Sequence, residues 1–180
     1  SGSVEEKLAR ALCIPTMSQS SKFPKFVVAV HVIEKMPWIE DLDIRDKYTR
    51  YMVVDPADNK PWFMLWAAID AANRIYIYRE WPDESFGLWA EHGETPEGKP
   101  GAAQKGLGYG YQDYLEVIQE IEGQDVIFER LIDPRFSQAK YQGKDGSTSM
   151  LTELNDIGLV FAPAPGIEIE DGISIINDRL

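Results

Sequence analysis

From residue 50 onward the chain is a series of short apolar runs separated by polar or glycine- and proline-containing breakers, and the runs carry two different periods. Arg50 to Asp55, Trp62 to Ile69 and Arg74 to Glu80 are rich in β-branched and aromatic residues, the composition of strands. Only Asp70-Ala71-Ala72-Asn73 separates the second from the third, a connection of hairpin length, so the three runs predict an antiparallel meander. The period then changes. Tyr111, Tyr114, Leu115, Ile118 and Ile121 recur every three or four residues, one apolar face of a helix that Gly123 closes. Val126 to Ile132 reads as a fourth strand. Ser147 or Thr148 can cap a helix carrying Met150, Leu151, Leu154 and Ile157 ahead of Gly158. Leu159 to Ala162 predicts a fifth strand, and Ile173, Ile176 and Leu180 a last helix.

The first part of the chain is less regular. Val4 to Leu12 has helical composition, and Ile14 to Pro24 reads as a linker. Phe26 to Val32 is a strand candidate, followed by the polar stretch Glu34 to Lys47. The expected division is a lead-in helix and linker over 1–25 and one domain over 26–180. Within that domain Pro82 to Gly108 has no clear period and is long for a connection, and long loops carry function more often than they merely connect. Three strands, helix, strand, helix, strand, helix describes a mixed α/β sheet flanked by helices. It is the order of RNase H-like folds, and it fits a meander with parallel crossovers better than a doubly wound sheet.

Composition narrows the functions open to such a domain. The 180 residues carry 18 Lys and Arg against 30 Asp and Glu, a net charge of −12, so the chain as a whole repels nucleic acid. Any phosphate contact has to be local, metal-assisted or supplied by a partner. The single cysteine, Cys13, excludes an internal disulfide and a cysteine zinc cluster, and two histidines, His31 and His92, make a poor zinc set. No apolar run reaches membrane-spanning length, and Ser1-Gly2-Ser3 looks like a cloning remnant.

Two strand ends carry candidate chemistry. Tyr51-Met-Val-Val-Asp55-Pro56 and Phe128-Glu-Arg-Leu-Ile-Asp133-Pro134 each stop an apolar run on an aspartate, because the proline that follows cannot donate to a ladder. If the two strands are parallel neighbours, Asp55 and Asp133 leave the sheet at one edge, and two convergent carboxylates suit a hard divalent cation, Mg²⁺ or Mn²⁺. The plainer reading of Asp-Pro is a turn that ends a strand. Lys60 past the first turn, and Arg135 and Lys140 past the second, are candidate phosphate contacts, and a solvated lysine is the plainer role for Lys60. Lys99 and Lys105, with Tyr109 and Tyr111, sit in a glycine-rich stretch able to guide a DNA strand by charge and stacking, or simply to pack its tyrosines. Glu80 ends a strand near this edge and suits an outer role. His31 reads as packed or hydrogen-bonded, His92 as a surface histidine, and Trp62, Trp66, Trp81 and Trp89 as packing residues.

With these motifs in place, the chain resembles the C-terminal nuclease domain of the large terminase subunit of tailed bacteriophages, the DNA-packaging motor protein. Asp55-Pro-Ala-Asp-Asn-Lys60-Pro61 is similar to the family's Asp-Pro-x-x-x-Lys-Pro strand end. Trp62 to Ile69, Arg74-Ile-Tyr-Ile-Tyr-Arg-Glu80-Trp81-Pro82, Gly98-Lys-Pro-Gly101, Asp133-Pro134-Arg135 and Glu170-Asp-Gly-Ile173 continue the likeness over residues 26 to 180. The resemblance implies a two-metal endonuclease that cuts concatemeric double-stranded viral DNA, with Asp55 and Asp133 as the first two acids. It also implies that residues 1–25 are the tail of an ATPase region of the same polypeptide. The portal protein and the small terminase subunit are the implied partners, oligomerisation is expected only within the full motor, and the host cytoplasm at the procapsid portal is the implied location. No Gly-x-x-x-x-Gly-Lys-Ser/Thr phosphate loop is present in this sequence.

One departure stands out. The family's third acid lies in a final Asp-His-x-x-Asp-Ala-x-Arg-Tyr helix, and this sequence reaches Leu180 without it. The expectation is that the C-terminal end of the domain is missing, with Asp171 or Asp178 as substitutes if it is not. A competing reading keeps the fold but not the chemistry: a catalytically incomplete RNase H-like module that docks portal or motor subunits, its acidic surface suited to a basic partner. A transposase or resolvase core is a third possibility, and the Asp-Pro-x-x-x-Lys-Pro run speaks against it.

Overall fold

The computed structural model describes residues 22–36, 46–57, 61–82, 109–143, 146–166 and 168–180. It divides into two compact units, Met36–Gly166 and a smaller one that joins residues 22–35 to residues 168–180, so the 26–180 stretch is shared between them. Among the described residues no helix is long and apolar enough to cross a membrane.

In the smaller unit, residues 26–32 do not form the expected strand. Val28–His31 is a single helical turn, α1. The valine run has strand composition, but a strand needs a neighbour, and here a local alternative closes instead. Val27 N–H donates to His31 Nδ1 at 2.9 Å, His31 N–H to the Val27 carbonyl at 2.8 Å, and the Phe26 ring stacks on the imidazole at 5.5 Å. His31 is thus hydrogen-bonded and packed, as expected. The other end of the chain supplies another helix of this unit, Ile169–Arg179. The Asn177 carbonyl accepts from Lys25 Nζ, and the Asn177 amide donates to the Lys22 carbonyl.

The larger unit is built on a mixed five-stranded sheet. Strands β1 (Thr49–Asp55), β2 (Phe63–Ile69) and β3 (Ile75–Trp81) form the antiparallel meander; β4 (Ile127–Ile132) then pairs parallel to β1, and the short β7 (Ala162–Pro163) parallel to β4. The strand order β3-β2-β1-β4-β7, flanked by helices, is the RNase H-like arrangement expected from the element order. Asp70 makes the hairpin: its Oδ1 accepts the Ala72 and Arg74 N–H groups, both at 2.9 Å. Asn73 takes the positive φ of 65° that the turn requires and that asparagine tolerates.

Alternation buries one face of the sheet. Met52 and Val54 of β1, Met64 and Trp66 of β2 and Ile132 of β4 meet Tyr114, Leu115 and Ile118 of the helix α2 (Tyr111–Glu122). Leu154, from the helix α4 (Met150–Asp156), joins them with Leu159 and Phe161. Gly123 ends α2 at φ 54°, which a residue with a side chain rarely adopts. Two bulges adjust the pleat, one inserting Phe128 opposite the Arg50/Tyr51 step and one inserting Tyr78 opposite Trp66/Ala67.

After β4 the structure holds three short elements the apolar pattern did not predict. Pro134–Ser137 is a one-turn helix, α3, and Lys140–Gly143 (β5) pairs with Gly146–Ser149 (β6) as a separate antiparallel hairpin. Thr148 and Ser147 lie in that hairpin, and the cap of α4 is Ser149, whose hydroxyl accepts the Thr152 N–H at 3.2 Å. The fifth strand is shorter than Leu159 to Ala162 implied and begins later. Leu159 and Phe161 go into the core, and Pro163 leaves β7 two residues long.

Candidate metal centre

The site is a consequence of sheet topology. In the β1–β4 ladder Val54 pairs with Ile132, both buried, and the next residue along each strand is an aspartate. Parallel neighbours lie about 4.8 Å apart, so Asp55 and Asp133 leave the sheet side by side at its C-terminal edge. Pro56 and Pro134 end the ladder just beyond them. In an open α/β sheet this edge is where ligands bind.

The two carboxylates differ in their surroundings. Asp55 is exposed, and among the described residues no side chain holds its carboxylate. Asp133 is partly buried and caps α3, with Pro134 in the first helical position. Its Oδ1 accepts the Arg135 backbone N–H at 2.7 Å and Nε–H at 3.4 Å, and its Oδ2 accepts from the Arg135 guanidinium at 3.1 Å. The Arg135 side-chain hydrogen bonds hold Asp133 below the usual carboxylate range. Partial burial pulls the other way, and the Arg135 backbone N–H and charge add to the lowering. This pairing was not foreseen, although Asp-Pro-Arg carries a signal for it: aspartate before proline is a helix cap, and the cap brings the residue at the second helical position back over its own carboxylate.

The donor set fits a hard cation. Two carboxylates supply oxygen ligands only, and Mg²⁺ binds typically through one or two carboxylates with water and substrate phosphate in the remaining positions. Among the described residues no group of three or more His, Cys, Asp or Glu side chains is arranged to hold a metal ion. The candidate third acids Asp171 and Asp178 are exposed near the two ends of the helix α5 (Ile169–Arg179), in the smaller unit.

Among the described residues the candidate cations are Arg135 and Lys140. Arg135 lies at the site through its ion pair, with its side chain 80% exposed. Lys140 is exposed at the start of β5. Lys60, Lys99, Lys105, His92 and Trp89 lie outside the described residues, as do Cys13 and the stretch 83–108. Glu80 is exposed in β3, opposite Leu65 on β2, and does not continue the Asp55/Asp133 step.

A cluster of aromatic rings supports the same edge from beneath. Trp62, just before β2, stacks on Tyr114 at 3.9 Å and 6°, and its backbone N–H donates to the Tyr114 hydroxyl at 3.3 Å. Trp81 and Tyr109 meet Tyr114 edge-on at 6.0 and 5.5 Å. Trp62, Trp66 and Trp81 are all buried, the packing role expected for them. Tyr109, part of the expected DNA-guiding stretch, packs on this cluster while remaining exposed.

Comparison with known proteins follows the fold. The chain is similar in structure to the large terminase from the thermophilic bacteriophage D6E, with a TM-score of 0.55 and 15% sequence identity over 87% of this chain. It spans 30% of the length of that protein. At this identity the likeness establishes a shared fold. No protein-family model matches the chain, and no curated protein matches it.

Proposed function

We propose that the chain is the metal-dependent endonuclease domain of a terminase large subunit, hydrolysing phosphodiester bonds of concatemeric double-stranded viral DNA during genome packaging. The observation that carries this reading is the register of β1 and β4, which makes Asp55 and Asp133 adjacent at one sheet edge. The Asp-Pro-x-x-x-Lys-Pro run at 55–61 and the likeness to a phage large terminase support it.

In this reading Asp55 and Asp133 hold Mg²⁺ or Mn²⁺. Metal ions held there would supply an activated water for attack on the phosphodiester and charge stabilisation for the leaving 3′ oxygen. Asp55, with no competing side-chain partner among the described residues, is the open ligand. Asp133 is oriented by its capping bond, so its position is fixed by the backbone of α3. Lys60, Arg135, Lys140, Lys99 and Lys105 are the proposed phosphate contacts. Their number is small beside a net charge of −12, so a firm grip on DNA falls to other parts of the motor: the ATPase region, the small terminase subunit and the portal at the procapsid in the host cytoplasm.

A docking module without nuclease activity is the second reading. It is favoured by the described residues gathering only two acids and by the acidic surface. Cleavage of supercoiled plasmid in Mn²⁺ or Mg²⁺, compared with Asp55→Asn and Asp133→Asn, separates the two. The nuclease reading predicts nicking by the unmutated chain that falls at least 100-fold in each variant. Equal activity in all three would reject these aspartates as the site, and no cleavage together with no metal binding would leave the docking module.

A further inference from the structure

Arg135 bonds the carboxylate that a cation bound to Asp133 would use. Both carboxylate oxygens are engaged: Oδ1 by the backbone N–H at 2.7 Å and more weakly by Nε–H at 3.4 Å, Oδ2 by the guanidinium at 3.1 Å. These contacts are not equivalent. The backbone bond belongs to the α3 cap and occupies one lone pair of Oδ1, leaving the other available. The shorter side-chain bond is to Oδ2, and both side-chain bonds come from a residue whose side chain is 80% exposed, at the edge where Asp55 adds a second negative charge. An ion pair this exposed contributes little to stability and exchanges readily. A divalent cation with two carboxylate ligands is a stronger competitor for the same oxygen.

We propose that Arg135 is a displaceable counter-ion: it neutralises Asp133 until a divalent cation takes its place, and the freed guanidinium then contacts a phosphate of the duplex. This rests on the metal-centre reading above and adds a coupling to it, since metal binding would create a DNA contact as well as a reaction centre. Arginine suits this exchange because its planar fork matches carboxylate and phosphate alike. Arg135 is thus a positioning residue, acting on the metal site through Asp133.

The test is calorimetric titration of Mn²⁺ into the unmutated chain and the Arg135→Ala, Arg135→Lys and Asp133→Asn variants at fixed salt. It is paired with fluorescence anisotropy of a short labelled duplex with and without Ca²⁺. The alanine variant keeps the capping backbone bond and removes a side chain that is 80% exposed, so its fold should stand. It is expected to bind Mn²⁺ about twofold to fivefold more tightly, the range set by the worth of an exposed ion pair. The lysine variant, which retains the charge but not the fork, should also bind more tightly than the unmutated chain. Ca²⁺ should raise duplex affinity in the unmutated chain more than in the alanine variant. Unchanged or weaker Mn²⁺ binding in Arg135→Ala, with binding lost in Asp133→Asn, would overturn the counter-ion role and leave the metal centre standing. Tightening by alanine but not by lysine would also overturn it, because a general field effect would then explain the result. Equal Mn²⁺ affinity in Asp133→Asn and the unmutated chain would remove the metal centre, and the inference with it.

Discussion

Two arginines near the end of β4 are paired with carboxylates under opposite conditions. Arg130, within the strand, reaches Glu122 at the end of α2 through Nε at 3.0 Å and through Nη2. Glu122 also accepts the indole N–H of Trp66 at 3.2 Å, and the side chains of Arg130 and Glu122 are 26% and 6% exposed. Arg135, past the strand, pairs with Asp133 at 80% and 22% exposure. The first pair joins a helix and two strands and has its oxygens filled from inside the protein, so nothing outside can exchange with it. The second lies just past the end of β4, its carboxylate only partly buried. The same pairing chemistry is therefore buried in one place and largely exposed in the other, and the proposed exchange with a ligand belongs to the exposed one.

The largest expected effect comes from breaking the closed pair. Glu122→Ala leaves Arg130 and the Trp66 N–H without their acceptor in a buried place and should cost about 2–4 kcal/mol, read from denaturant unfolding by tryptophan fluorescence. Any folded fraction should retain its Mn²⁺ affinity. A loss below about 0.5 kcal/mol would mean that the pair is not closed.

Asp133 sharpens the comparison because it serves both kinds of role. Asp133→Ala should cost about 1 kcal/mol through loss of the α3 cap, whereas Asp133→Asn, a comparable cap, should leave stability near the unmutated value. Both should lose metal binding. Equal stability of the two variants would show that the cap contributes nothing. Arg135→Ala, by contrast, should change stability by less than about 0.5 kcal/mol in the same unfolding experiment.

The smallest effect belongs to a third pair, Asp70 with Arg74 at 2.7 Å in the β2–β3 turn. The Arg74 backbone N–H holds the Asp70 carboxyl below its ordinary value, aided by the Arg74 side chain and the Ala72 N–H against some desolvation. A depressed folded value means that the contribution is present above the unfolded value of about 3.9 and is lost as pH falls through the lower folded one. Asp70→Asn should therefore lose less stability than the unmutated chain on acidification below about pH 4. Parallel acid-unfolding curves for the two would contradict this.

How much of this was legible in the sequence depends on what each element leaned on. The meander, α2 and β4 follow from apolar periods interrupted by residues that must interrupt them: Asp70 to Asn73, Gly123, Pro56 and Pro134. The β5–β6 hairpin is polar throughout and buries little, so no period marks it. The valines of 26–32 have strand composition but fold locally around His31, which composition cannot report. Asp55 and Asp133 were visible as strand ends, but their adjacency needed the parallel β1–β4 register. Glu122 was the least visible. On the sequence it belongs to the polar side of a helix, and only the packing of Trp66 and Arg130 makes it a buried acceptor.

The central claim is that the edge beside β1 and β4 is a divalent-metal centre. A crystal of the chain soaked in Mn²⁺ and measured at a wavelength where manganese scatters anomalously tests it most directly. The predicted result is an anomalous peak within ligand distance of carboxylate oxygens of both Asp55 and Asp133, with the Arg135 guanidinium moved off Asp133. No peak there, with Asp133 still paired to Arg135 at saturating Mn²⁺, would contradict it.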